Sequence, residues 1–361
     1  MTDPPRISIA DLAGGALGTR AGLPALDEDG QIGDPLVLVD LDGAARPAAV
    51  ARVAALARGG GRLFAGVASG PPAQSVRPLL DALDVTLVPA AAAGLSAGGG
   101  TVPRECVAAE DPAAEARSLA GMAARCPQAA VVLGQVLRAS QQLPVPAALD
   151  VESFAYSMLL DGPEFRRWLA ERPQRQPPGP VAEPVLTRRD GDRLLITLNR
   201  PERRNAYGRQ LRDALADALR IALLDPGVNR VVLDGAGPAF CSGGDLAEFG
   251  TAPDLVTAHL VRTLGGAGRL VSELKDRIEV HLHGPCVGAG VELPAFAGTV
   301  IAAEGTTFTL PEVSMGLLPG AGGTVSIPRR IGRWRTLYLA LSRRPLAVPT
   351  ALSWGLVDRV A

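Results

Sequence analysis

The chain has 361 residues, of which 47% are hydrophobic and 20% charged, and its net charge is −1. That length suits about two domains of globular composition, and the near-zero charge speaks against a broad nucleic-acid footprint or a polybasic membrane surface. Four cysteines (Cys106, Cys126, Cys241, Cys286) with no CxxC pair build neither a disulfide framework nor a zinc site.

The opening MTDPPRISIADLAGG lacks the charged and apolar regions of a signal peptide, and no uncharged apolar run is long enough for a bilayer. A soluble cytoplasmic protein is therefore expected. Residues 1–34, rich in Pro, Gly and Asp, predict an extended arm. Pro35–Gly43 reads as a strand, Ala44–Gly60 as a helix ending in glycine, and Arg62–Ser69 as a second strand. A helix around Ser75–Leu83 and a strand at Asp84–Pro89 follow, so residues 35–110 predict a small α/β unit. Ala90–Thr101 is a low-complexity loop.

Residues 111–171 read as helical. Asp111 supplies an N-cap with proline at the first helical position. A second helix is expected at Gln128–Gln141 and a third at Asp150–Ala170, with Phe154, Met158, Leu159, Phe165 and Leu169 near one stripe. RPQRQPPGPVAEP marks a linker over 172–184.

The remaining residues, 185–361, form the third part of the chain. Arg193–Leu198 reads as a strand, followed by NRPERRNAY. Leu211, Ala214, Leu215, Ala218, Leu219 and Ala222 then follow the helical apolar period. Asn229–Asp234 is a buried-type strand, leading into AFCSGGDL (Ala239–Leu246) and a helix expected to begin near Asp245. Another helix covers about Leu255–Leu274. Arg277–His283 alternates as a strand and runs into GPCVGAGVEL, whose helix carries Glu292. Thr299–Ala303 and Thr307–Leu310 are short strands, Glu312 follows, and two further helices and VDRV close the chain.

Two glycine-rich turns hold the chemical interest. Each follows a buried strand and opens a helix, where N–H groups have no intrahelical partner. Together they can place two donors around one oxygen, an oxyanion hole in which each donor contributes about 3–4 kcal/mol in a transition state. Two ordinary strand–helix turns are the plainer alternative. Glu292 lies one turn into its helix and Glu312 follows Pro311. Taken singly, Glu292 reads as a cap or an arginine partner, and Glu312 as a surface turn residue. Meeting in a closed pocket, two carboxylates push their pKa values apart, so one serves as acid and the other as base.

Arg203 and Arg204 either hold a phosphate or make a solvated basic turn. Lys275 is the single lysine, and hence the single Schiff-base candidate, at a helix end. His259, His281 and His283 show no nucleophile–base spacing. Ser242 and Cys241 lack a partner base, so Ser242 is read as a backbone donor and Cys241 as packing.

LNRPERRNAY, AFCSGGDL, the GxGxEL helix start, LPEVSMGLLPGAGGT and WGLVDRV, in this order over about Pro184–Ala361, resemble the crotonase superfamily (enoyl-CoA hydratase/isomerase). The resemblance implies an α/β fold: a ββα spiral core with a pocket between two sheets, here preceded by a smaller α/β and helical region. It implies an acyl-CoA thioester as ligand, with coenzyme A as part of the substrate and no separate cofactor or metal. The enolate oxygen would be held by the N–H groups of Ser242 and Ala289. Glu292 and Glu312 would hold and activate a water, and having both implies hydration of a 2-enoyl-CoA, water adding at C3 and a proton at C2, or the reverse. Substrate or CoA contacts would fall on Arg203, Arg204, Ala206, Gly243, Gly244, Asp245, Leu246, Gly288, Pro311 and Gly320. A homo-oligomer (trimer or hexamer) is implied, with no nucleic-acid or membrane partner.

Other chemistries of the superfamily remain alternatives: isomerisation, thioester hydrolysis, decarboxylation or cofactor-free oxygenation on an acyl- or aryl-acetyl-CoA. A non-catalytic acyl-CoA-binding subunit is a further one. The departures are Ala289 for the middle glycine of a GGG turn, Pro294 inside the Glu292 helix, Gly298 for an aspartate, and Tyr207 for a leucine. Family members also continue past GLVDRV into a helical tail, which residues 111–170 resemble. This predicts that 35–110 is a decayed crotonase-like copy whose tail covers the second core.

Overall fold

The computed structural model describes residues 6–15, 17, 25–26, 32–93, 102–173, 176 and 179–361. The chain divides into two compact units, residues 1–139 with 332–342 and residues 140–331 with 343–361.

The first unit is built on five parallel strands in chain order: Arg6–Ser8, Leu36–Asp40, Leu63–Val67, Val85–Pro89 and Cys106–Ala109. The middle three are near-continuous apolar runs, as expected of parallel strands covered on both faces. Val37, Val39, Phe64 and Val88 share one core with Ile9 and Leu12, with Val50 and Val53 of helix Pro47–Gly59, and with Leu79 of helix Arg77–Ala82. Helices Pro112–Arg125, Pro127–Ala139 and Arg333–Ser342 also belong to this unit. Buried Asp84 accepts from the Phe64 N–H (2.9 Å), from Arg138 (2.6 Å) and from Arg333 (3.2 Å).

Residues 6–14 depart from the expected extended arm. Arg6–Ser8 is an edge strand, and Ile9–Gly14 is a helix because Ser8 caps it at the Asp11 N–H while Ile9 and Leu12 are buried. Ala25–Leu26 and Ile32–Gly33 form a small antiparallel pair. Positions 1–5, 16, 18–24 and 27–31 of the arm, positions 94–101 of the expected loop and four linker positions (174, 175, 177 and 178) lie outside the described residues. Strand Cys106–Ala109 was not foreseen; it is only four residues long and follows a proline-containing turn.

In the second unit a six-stranded sheet runs in the order Arg359–Val360, Thr299–Ala302, Ile278–Leu282, Arg230–Gly235, Arg193–Leu198 and Val185–Asp190. All neighbours are parallel except the last pair. Val185–Asp190 reads as polar because it is an exposed edge, which hid it in the sequence. A second sheet holds Pro285–Val287, Thr307–Thr309 and Leu346–Ala347. The chain repeats a ββα pattern across the two sheets. Ile278–Leu282, Pro285–Val287 and helix Ala289–Glu292 form one repeat; Thr299–Ala302, Thr307–Thr309 and the 3-10 turn Glu312–Met315 form the next. Because Val287 pairs with Thr309, the repeats deliver Glu292 and Glu312 to neighbouring positions.

Several expected helices are shorter. No helix opens at Asp245; residues 246–250 turn instead, and the following helices are Leu255–Gly265 and Ala267–Glu273, broken at the extended Gly266. The expected Asp150–Ala170 helix is two, Val145–Leu160 and Pro163–Ala170, because Pro163 cannot continue the first. The stretch 111–171 is thus shared: its first two helices lie in the first unit and the last two in the second. Among the described residues no helix is long and apolar enough to cross a membrane.

Candidate active site

The Gly288 N–H extends the small-sheet pairing by donating to the Thr309 carbonyl (2.9 Å). The chain then turns at Gly288 (φ 48°, ψ −116°) into the one-turn helix Ala289–Glu292. A Cβ at Gly288 would lie 2.5 Å from Glu312 Oε1 and 3.7 Å from Glu292 Oε1, so both carboxylates face one small volume beside this turn. The position accordingly demands glycine twice over, for its positive φ and for that space.

Glu292 is 2% exposed. Its Oε2 accepts the N–H groups of Ala321 (2.7 Å) and Gly323 (2.9 Å), at the start of helix Gly323–Ile331. The N–H groups that alternate with these go to a third carboxylate. Glu152, on helix Val145–Leu160, accepts from the Gly322 N–H (2.7 Å), the Thr324 N–H (2.8 Å) and the Thr324 hydroxyl (2.7 Å). The orphan donors of one helix start are therefore divided alternately between two buried glutamates. Glu312 is fixed differently. Its Oε2 is buried and has no hydrogen-bond partner among the described residues.

Burial raises all three carboxyl pKa values. It pushes Glu312 up to about 8, with the charge of Glu152 adding. Glu152 rises to about 7 by burial, against the bonds from Thr324 and Gly322. Glu292 is raised by burial and then by the charges of Glu312 and Glu152, against its two backbone bonds. Glu152 escaped the sequence reading. The available signal was a carboxylate on the buried face of an apolar helix, four residues after buried Ala148.

The turns that carry the expected backbone donors lie side by side. The Cys241 carbonyl accepts the Val287 N–H (3.1 Å), and a Cβ at Gly243 would lie 3.0 Å from the Val287 carbonyl. Ala289, first in its helix, has no intrahelical acceptor for its N–H. Ser242 departs from expectation: its N–H donates to the Arg204 carbonyl (2.9 Å) and is already engaged. Two residues on, the Gly244 N–H has no backbone acceptor among the described residues. Cys241 is buried, which pushes its thiol up to about 12, in keeping with packing.

The other candidate residues sort into structural and open positions. Arg203 pairs with fully buried Asp245 (2.6 Å), whose carboxylate also accepts the Ala247 N–H (3.1 Å). This pair clamps the two loops together, while Arg203 Nε and Asp245 Oδ2 have no hydrogen-bond partner among the described residues. Asn205, between them and wholly buried, ties the same turn to the Ala236 and Ala239 carbonyls (both 2.9 Å). Arg204 and Leu246 are exposed, and Ala206 is buried. Pro311 leads into the Glu312 turn. Gly320 lies against the Tyr156 ring of the Glu152 helix and makes room for the protein's own side chain.

Two departures also find reasons. Pro294 is not inside the Glu292 helix but opens a separate 3-10 turn, Pro294–Phe296, where proline is tolerated. Gly298 donates to the Lys275 carbonyl (3.0 Å), which any Cβ there would strike. The histidines stay out of the site: His259 stacks on Phe154, His281 meets Glu279, and His283 meets the Gly237 carbonyl.

A family model described as enoyl-CoA hydratase/isomerase matches residues 192–361. The 1,2-epoxyphenylacetyl-CoA isomerase of Escherichia coli (strain K12) is 33% identical over 185 residues, covering 50% of this chain and 70% of that protein. The chain belongs to the enoyl-CoA hydratase/isomerase family. A probable enoyl-CoA hydratase of Rhizobium meliloti (strain 1021) is 34% identical over 178 residues, covering 49% of this chain and 68% of its own. A solved enoyl-CoA hydratase from Thermoplasma volcanium GSS1 is 32% identical, covers 50% of this chain and 72% of its own, and has a TM-score of 0.46. Within the enoyl-CoA hydratase/isomerase match fall Glu292, Glu312 and both glycine turns, whereas Glu152 lies outside it.

Proposed function

We propose that this protein adds water across the double bond of a 2-enoyl-CoA thioester, or removes it in the reverse direction. The observation that carries the reading is the approach of the Glu292 and Glu312 carboxylates to one volume beside the Gly288–Ala289 turn. Two carboxylates so placed cannot both ionise cheaply, and the pair holds a proton at neutral pH. One then accepts a proton from water as its oxygen bonds to C3, and the other delivers a proton to C2. The negative charge that develops on the thioester oxygen is met by N–H donors, Ala289 from one turn and Gly244 from the other, in place of the engaged Ser242. The small residues at 242–244 leave space for the thioester and pantetheine arm, with Arg204 and Leu246 exposed nearby.

A second reading is isomerisation, in which one carboxylate moves a proton between two carbons. It is favoured by Glu312 Oε2, which has no hydrogen-bond partner among the described residues and so is left to act alone. Following the loss of conjugated thioester absorbance over a panel of 2-enoyl-CoA substrates separates the two. Loss of turnover in both Glu292→Gln and Glu312→Gln, by about 10²–10⁴-fold, is the hydratase outcome. Loss in Glu312→Gln alone moves the assignment to isomerisation, and CoA binding without turnover by the wild-type protein retires both.

A further inference from the structure

Beside the carboxylates, within the second unit, is a cleft lined by Glu152, Tyr207, Arg212, Arg262, Arg269 and the Gly320–Gly322 turn. It borders the proposed reaction centre: Ala321 in its wall donates to Glu292 Oε2, and Glu292 contributes to the field at Tyr207. Three guanidinium groups in such a cleft are far more charge than an apolar acyl tail needs. An apolar pocket also gains nothing from holding cations out of water.

The cations are poorly neutralised from within. Arg262 is held by hydrogen bonds from its side chain to the Ser153 hydroxyl (3.1 Å), the Ser153 carbonyl (3.3 Å) and the Ser157 hydroxyl, and it lies over the Tyr156 ring at 4.6 Å. It forms no salt bridge with a described carboxylate, and burial lowers its pKa, against the charges of Tyr156 and Glu152. The nearest candidate, Glu152, has both oxygens taken by the Gly322 and Thr324 donors. Arg269 has no salt bridge among the described residues, and its buried Nε has no hydrogen-bond partner. Among the described residues Arg212 pairs with Asp213 alone (2.7 Å), whose own side chain is more than half exposed.

We propose that this cleft receives the far end of the acyl group and that this end carries a carboxylate, so the substrate is a CoA monothioester of an unsaturated dicarboxylic acid. A guanidinium fork pairs with a carboxylate through two parallel hydrogen bonds, which favours it over a methyl end both in energy and in geometry. The inference rests on the acyl-CoA reading above and extends it to the substrate class.

The test is a binding measurement that needs no turnover. Isothermal titration compares the CoA monothioester of a saturated dicarboxylic acid with the fatty acyl-CoA of the same chain length, on the wild-type protein and on Arg269→Gln, Arg269→Lys and Arg262→Gln. The expected result is wild-type preference for the acid-ended ligand by about tenfold or more. The preference collapses in the two Gln variants and is partly restored in Arg269→Lys. Equal wild-type affinities, or a preference that survives both Gln variants, overturn the proposal, and the wild-type comparison stands even where a variant fails to fold. If the preference is intact but no 2-enoyl-CoA is turned over, the hydratase reading falls alone. If neither ligand binds, the acyl-CoA reading itself falls.

Discussion

Glu312 is a carboxyl group kept neutral by its surroundings. It holds its proton to about pH 8, against 4.5 for an ordinary glutamate. Between these values the folded state binds a proton that the unfolded state has lost, so the group's contribution to stability falls as pH rises. The slope is at most roughly 1.4 kcal/mol per pH unit. Glu312→Gln removes the titration and keeps the shape. Its melting temperature relative to the wild type is therefore expected to climb as the pH is raised from about 5 to about 8, readable by thermal unfolding across a pH series. Activity should behave in a complementary way: with one proton shared by the pair, kcat/KM is expected to fall above about pH 8 as that proton is lost. Glu152 has a separate role. It touches no proposed reacting atom but holds alternate N–H groups of the turn that orients Glu292. Glu152→Ala strands two buried backbone donors at about 1–3 kcal/mol each, and should lower both the unfolding midpoint in urea and kcat.

At the level of the elements, the small-sheet pairing of Pro285–Val287 with Thr307–Thr309 sets the site, and the turn at Gly288 is its most demanding point. Gly288→Ala forces a Cβ towards Glu312 Oε1 in a left-handed backbone conformation. The expected outcome is loss of turnover together with a loss of stability of about 1–3 kcal/mol. A Gly298→Ala control, at a position whose Cβ would meet Lys275 and neither carboxylate, should cost stability through its clash with the Lys275 carbonyl and leave no separate effect on kcat. Much of this was legible in the chain. Both glutamates and both glycine turns stand in recognisable motifs, and buried strands such as Asn229–Asp234 announce themselves by their apolar runs. What could not be read was long-range. The consumption of the Ser242 N–H by the Arg204 carbonyl, the Arg203–Asp245 clamp and the placement of Glu152 all join positions tens of residues apart, and each is decided by the tertiary fold rather than by local sequence. Edge strand Val185–Asp190 and the broken 161–163 helix joint were missed for local reasons, a polar edge and a proline.

Across the whole molecule, the division into units does not follow the order of the chain. Helix Arg333–Ser342 lies within the family-matched residues yet belongs to the first unit. There Arg333 donates to Asp84 and to the Asp81 carbonyl, Trp334 Nε1 donates to the same carbonyl (3.3 Å), and Arg335 reaches the Val102 and Cys106 carbonyls. Asp84 is buried with a raised pKa and relies on Arg138 and Arg333 together. Arg333→Met should therefore destabilise the first unit by about 3–5 kcal/mol, measurable as hydrogen-exchange protection lost at Phe64 and its sheet neighbours. A fragment of residues 1–139 is expected to stay incompletely folded and to gain protection when a peptide of residues 332–342 is added.

This arrangement also fixes a timetable. On the ribosome, the strands of the first unit emerge early, but the helix that completes the unit is made only after some two hundred further residues. At about 5–20 residues per second, that helix is missing for roughly 10–40 s. During that interval Asp84 lacks one of its two guanidinium partners. The first half of the newborn chain is thus expected to be the part most prone to aggregate, until the helix that completes its unit has been made.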